Sequence, residues 1–200
     1  MRKIRVGIIG CGTIGTCLAK ACQKNLSRSV DLIGLSDIDE KKALSLKSII
    51  GGKIRVLKTD DLIKRSDLII EAASAKTSGN FLKKAVRYKK DILIMSVGGL
   101  LGSASLLKSA REKGIRVYIP SGAICGVDGL KSAGAGRIDS VTLTTRKPPK
   151  GLEGAPYLKD NNIDLKTVKK EKIVFEGNAA SAVRGFPQNV NVCAILSLAG

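Results

Sequence analysis

The 200-residue chain is 44% apolar and carries a net charge of +18, from 35 lysines and arginines against 17 acids. That length suits one large domain or two small ones, and no apolar run approaches the ~20 residues of a membrane span. The lysines are scattered along helical faces, and only 3% of residues are aromatic, too few for base stacking. The charge reads as a solvated basic surface able to steer an acidic small molecule, with neither nucleic acid nor membrane expected as a partner. Met1-Arg2-Lys3-Ile4 runs directly into a strand pattern, leaving no room for a signal peptide. Five cysteines without CxxC spacing read as reduced thiols of a cytoplasmic protein. With no histidine and no ligand cluster, no metal site is expected.

Arg5 to Ile9 is a short apolar run with buried-strand character, followed at once by Gly10-x-Gly12-x-x-Gly15 and a helical run from Thr16 to Asn25. Strand, glycine turn and helix in that order form a dinucleotide-binding fingerprint, with Thr13 and Ile14 between its last two glycines. Gly10 makes the tight turn, Gly12 lets backbone approach a pyrophosphate, and Gly15 lets the helix pack closely on the strand. The helix N-terminus offers N–H groups and partial positive charge to phosphates. A second strand pattern, Val30 to Leu35, leads to Asp37, which lies 22 residues beyond Gly15. An acid there bonds the adenosine ribose hydroxyls. Asp37 and Asp39 together repel a 2′-phosphate and favour NAD, while Lys41 and Lys42 weaken that preference and keep NADP possible. The alternative is a βαβ unit whose glycines serve only packing.

Glu40 to Ile50 is helical in pattern and ends at Gly51-Gly52; Lys53 to Leu57 is a short strand candidate. Thr59-Asp60-Asp61 offers N-cap residues to a helix ending near Arg65. Asp67 to Ala73 is another buried strand, stopping at small residues that leave room for a nicotinamide nucleotide. A helix over Thr77 to Tyr88, a strand over Asp91 to Val97 and a Gly98-Gly99 turn follow. Ser103 is placed to cap a helix to Lys113, and Arg116 to Ile119 reads as a further strand. This alternation predicts a doubly wound parallel sheet over residues 1–120.

The character changes after Pro120. Ser121 to Gly126 is a glycine-rich crossing, followed by a short helix through Gly129 to Ala135. Val141 to Thr145 alternates like a half-buried strand, and loop signals gather in 148–162. Lys172 to Gly177 reads as a strand and Ala179 to Arg184 as a brief helix. Residues 121–200 are therefore expected to form a smaller α+β domain for substrate binding and dimerisation.

Four segments carry a resemblance: SVGGL (Ser96 to Leu100), IPSGAICGVDGLKSA (Ile119 to Ala133), LTTRKPP (Leu143 to Pro149) and VFEGNAASAVRGFPQNVNVCAILSLAG (Val174 to Gly200). On these the chain resembles L-aspartate dehydrogenases over its whole length. The resemblance implies a Rossmann-type domain with a second domain. It also implies oxidation of L-aspartate to iminoaspartate with NAD or NADP, feeding nicotinamide ring synthesis, and a homodimer. By that resemblance Ala123 and Asn189 are NAD-contacting positions, and the nicotinamide faces an interdomain cleft near Ser74, Val97, Ala123 and Asn189. Asn189 both donates and accepts, as fixing a carboxamide requires. Ser121, Gly122, Arg146 and Asn191 are candidates for substrate contact, Arg146 through its charge. Arg146 and Lys147 read equally well as a solvated strand end.

The family's catalytic histidine belongs to an N-x-H motif downstream of FPQN, and this chain has no histidine. The family's closing strands and last helices are not seen before Gly200 either. The catalytic residue is therefore unassigned, and two expectations stand: part of a longer reading frame, or a shortened protein without the chemistry. The rivals are a catalytically silent NAD-binding module and a reductase of the homoserine dehydrogenase or dihydrodipicolinate reductase kind.

Overall fold

The computed structural model describes residues 2–122, 124–187 and 191–199, with the backbone alone at Thr167. The chain divides into two compact units, Met1–Pro120 and Ser121–Gly200. The first holds strands β1 (Ile4–Ile9), β2 (Val30–Ser36), β3 (Arg55–Val56), β4 (Leu68–Glu71), β5 (Asp91–Ile94) and β6 (Val117–Tyr118). Between them run helices α1 (Thr13–Lys24), α2 (Glu40–Ile50), α3 (Thr59–Arg65), α4 (Ala75–Tyr88) and α5 (Ala104–Glu112). Every pairing is parallel, and the order is β3-β2-β1-β4-β5-β6. The order therefore reverses between β1 and β4, opening a crevice at the carboxyl ends of those strands where ligands of such sheets bind.

Both faces of the sheet are covered, which is why its strands read as unbroken apolar runs. Side chains alternate faces along a strand, so adjacent residues enter different cores. Ile8 and Ile70 are buried with Ala19, Cys22, Ala43 and Leu46 of α1 and α2. Ile9 and Ile69 are buried with Leu62, Ile63, Leu82 and Ala85 of α3 and α4. Each fully buried Leu or Ile contributes roughly 1.5–3 kcal/mol. None of the described helices is long and apolar enough to cross a membrane.

Helix ends show how local chemistry differs from the reading. α1 starts at Thr13 rather than Thr16, because the chain turns into the helix directly from Gly12. Asp39 caps α2 by accepting from the Lys41 N–H at 3.1 Å. Thr59 lies inside α3 behind Lys58, and its hydroxyl pairs with the Ser36 hydroxyl at 2.9 Å instead of capping. Ser103 precedes α5 without a side-chain cap bond. β5 stops at Ile94 rather than Val97, since Val97–Leu100 winds into a 3-10 turn.

The second unit contains α6 (Val127–Ala133), α7 (Pro156–Asp160), α8 (Ala179–Gly185) and α9 (Asn191–Ala199). Its small core gathers Ala155, Leu158 and Phe186, against which Tyr157 and Phe175 pack. The strands expected at 141–145 and 172–177 are a correction: both segments are unpaired among the described residues. Alternation makes a strand only where a neighbouring ladder takes up the N–H and C=O groups; Val141 and Ile173 are instead 46% and 78% exposed. The α+β description of this unit therefore lacks its β part here.

Candidate functional site

The site is built from the turn that joins β1 to α1. Gly10 has φ +98°, and a Cβ there would lie 2.5 Å from the Ala72 carbonyl and 2.7 Å from the Ala73 nitrogen. Only glycine meets both demands. A Cβ on Gly15 would sit 1.9 Å from the Gly10 carbonyl oxygen, so the first turn of α1 closes directly onto the glycine turn. A Cβ on Gly12 would meet nothing within 4 Å, so this stretch of backbone presents an open face. Thr13 and Ile14 are exposed, and the first intrahelical bond runs from the Thr16 N–H to the Gly12 carbonyl. The N–H groups ahead of Thr16 thus have no acceptor inside the helix. No acidic residue occupies that first turn, and the helix end's partial positive charge favours an anion there.

Asp37 follows β2 and is drawn onto the same turn. Its Oδ2 accepts from the Cys11 N–H at 2.6 Å and its Oδ1 from the Asp39 N–H at 2.9 Å. A carboxylate so held keeps lone pairs for further donors. Burial, with help from Asp37, pushes the Cys11 thiol up to about 11, leaving it an uncharged wall residue. The Asp39 carboxylate, two residues beyond Asp37, accepts the Lys41 N–H as the cap of α2.

On the other side of the crevice stand the ends of β4 and β5. Ser74 is exposed at the start of α4, its hydroxyl 3.1 Å from that of Thr77. Val97 is buried, only 1% exposed, at the start of the 3-10 turn that follows β5. Glu71, which the reading of the sequence passed over, is fully buried and bonds the Ala73 and Ser96 N–H groups at 2.8 and 3.1 Å. Burial pushes its carboxyl up, while four hydrogen bonds pull the other way. The available signal was an acid closing an otherwise apolar strand.

Gly10, Gly12, Thr13, Ile14, Gly15, Asp37, Ser74 and Val97 all belong to the first unit and follow the carboxyl ends of β1, β2, β4 and β5 in the chain. The other candidates belong to the second unit. Ser121 and Gly122 (φ +61°) lie exposed in the turn ahead of α6, and Asn191 opens α9. The Arg146 guanidinium is exposed and paired with Glu171, itself exposed. Ala123 and Asn189 lie outside the described residues. Among the described residues no group of three or more His, Cys, Asp or Glu is placed to hold a metal.

Residues 10–120, more than half of the chain, match the model of the homoserine dehydrogenase NAD binding domain, and residues 128–200 match the aspartate dehydrogenase C-terminal model. The chain is 41% identical to the L-aspartate dehydrogenase of Methanosarcina barkeri, over 98% of its own length and 74% of that relative's. With the L-aspartate dehydrogenase of Methanosarcina acetivorans the identity is 43% at the same coverage. The chain belongs to the L-aspartate dehydrogenase family. Members of this family are matched across both units, which a nucleotide-binding turn alone does not produce. A probable dehydrogenase from Thermotoga maritima superposes with a TM-score of 0.53 at 19% identity, covering 66% of this chain and 41% of that one; the likeness concerns fold alone.

Proposed function

We propose that the chain is an NAD(P)-dependent oxidoreductase that converts L-aspartate to iminoaspartate, releasing a reduced cofactor and a proton. Water then hydrolyses the imine to oxaloacetate and ammonia. The observation that carries this reading is the open N-terminus of α1 facing the anchored carboxylate of Asp37, within a chain of this family. The residues fit a dinucleotide. The N–H groups of Gly12 to Gly15 take the pyrophosphate, and Asp37 accepts from the adenosine ribose hydroxyls. The ends of β4 and β5, with Ser74 and the turn that opens at Val97, receive the other half.

When bound, the nicotinamide accepts a hydride from the aspartate Cα; the protein's share is orientation and charge. By the family resemblance Ala123 and Asn189 orient the carboxamide. Ser121, Gly122, Arg146 and Asn191 remain the substrate candidates, with Arg146 released from Glu171 to meet a carboxylate. Asp37 and Asp39 together support a preference for NAD over NADP, which Lys41 and Lys42 weaken. A homodimer working in the cytoplasm and supplying nicotinamide ring synthesis belongs to the same reading. Light scattering after gel filtration reads the dimer directly.

Growth of NADH absorbance that depends on L-aspartate is the expected result, faster with NAD than with NADP. Equal turnover of unrelated amino acids would sink the substrate assignment. NADH binding without any turnover would favour a silent binding module.

A further inference from the structure

Glu71 closes β4, with Ile9 of β1 and Ile94 of β5 in register on either side. Both neighbours are apolar, and a carboxylate with no exposure is costly unless something there needs it. None of the ion pairs among the described residues involves Glu71. Its partners are loop groups instead. Oε1 takes the Ala73 N–H and Oε2 the Ser96 N–H, with the Ser74 backbone and Ser96 side chain adding further bonds. Ser78 of α4 completes the tie by donating to the Ser96 carbonyl at 3.0 Å. One buried side chain thus holds the segment leaving β4 and the segment leaving β5 in fixed relation. The first of these is also the backbone against which Gly10 packs.

We propose that Glu71 is a positioning residue for the nicotinamide half of the cofactor, acting through the two loops it ties rather than by touching the ligand. This rests on the dinucleotide reading above, in which the adenosine half lies toward Asp37 and the remainder toward β4 and β5. The two halves then answer differently to a change at Glu71. A glutamine has the same shape but accepts on one side only, so one of the two N–H groups meets a donor and its loop is released.

The test compares NADH with ADP-ribose, which keeps both riboses and the pyrophosphate but lacks the nicotinamide ring. Binding to the full chain is titrated by calorimetry. Glu71→Gln should weaken NADH about tenfold, the cost of one charge-assisted hydrogen bond, and leave ADP-ribose within about twofold. Equal weakening of both ligands, or of neither, in a folded variant overturns the proposal. If Glu71→Gln does not fold, Ser78→Ala decides: a loss of about threefold confined to NADH supports the tie, and any other pattern overturns it. A wild-type chain that binds neither ligand refutes the dinucleotide reading itself, a result distinct from failure at Glu71.

Discussion

In the first unit Ile69 and Ile70, neighbours in β4, are buried in separate cores on opposite faces of one sheet. In the second unit Phe175 and Phe186 meet Tyr157 in a single cluster, with ring centroids 5.1 to 5.5 Å apart and, among the described residues, no strand pair behind them. The first arrangement shares its load among helices on both faces, while the second gathers three rings with Ala155 and Leu158 in one small core. A parallel sheet covered on both faces protects its backbone bonds and its side chains together; a ring cluster protects only what touches it. The units should therefore respond to damage on different scales and through different amides.

The largest effect is expected from Gly15→Val, which forces a side chain onto the Gly10 carbonyl. It should destabilise the first unit by about 4 kcal/mol and abolish NADH binding, read by denaturant unfolding and calorimetry. A mild effect would break the view that the glycine turn is rigid. Next comes Phe186→Ala, at about 3 kcal/mol. Hydrogen exchange should quicken around α7 and α8 while β1 and β4 stay protected. Equal loosening of the sheet would show that the two cores are one cooperative body.

Asp67 sharpens the comparison from within the first unit, because it ties β1 to the start of β4. It pairs with Arg5 at 2.7 Å and Arg2 at 3.1 Å and accepts the Arg5 N–H at 3.0 Å. Arg5, first by hydrogen bonding, holds the Asp67 carboxyl well below the ordinary carboxylate range. The ionised form is favoured in the folded state, so this stability is fully present above about pH 4 and is lost as pH falls further. Asp67→Asn should cost about 1 kcal/mol at neutral pH, with the gap closing in acid; a gap constant with pH would refute the pairing. The smallest effect belongs to Lys108 and Glu112, exposed on α5 and 4.0 Å apart. Replacing either with alanine should shift stability by less than about 0.3 kcal/mol.

Much of the first unit was legible because its signals are local. Gly10, Gly12 and Gly15 follow an apolar strand and precede a helix, and Asp37 closes the next strand. Where the signal depended on a distant partner, reading failed. The Arg146–Glu171 pair links residues far apart in sequence, so no local pattern reveals it. Residues 141–145 alternate, but alternation does not supply a neighbouring strand. Glu71 was passed over because its purpose lies in the N–H groups of two loops, one of them beyond the next strand. Capping also depends on competition: Thr59 found a hydroxyl partner in Ser36, which no pattern along α3 reveals.

The position of β1 at the centre of the sheet bears on synthesis. β1 pairs with β2 on one side and with β4, through Glu71, on the other. As the chain leaves the ribosome, β1 and β2 can meet early, yet the far edge of β1 stays bare until residues through 71 have emerged. An apolar edge waiting that long is a template for wrong partners. The growing chain is therefore most vulnerable to aggregation between the emergence of β2 and that of β4, and any pause in synthesis that delays the exit of residues 37–71 would lengthen that interval.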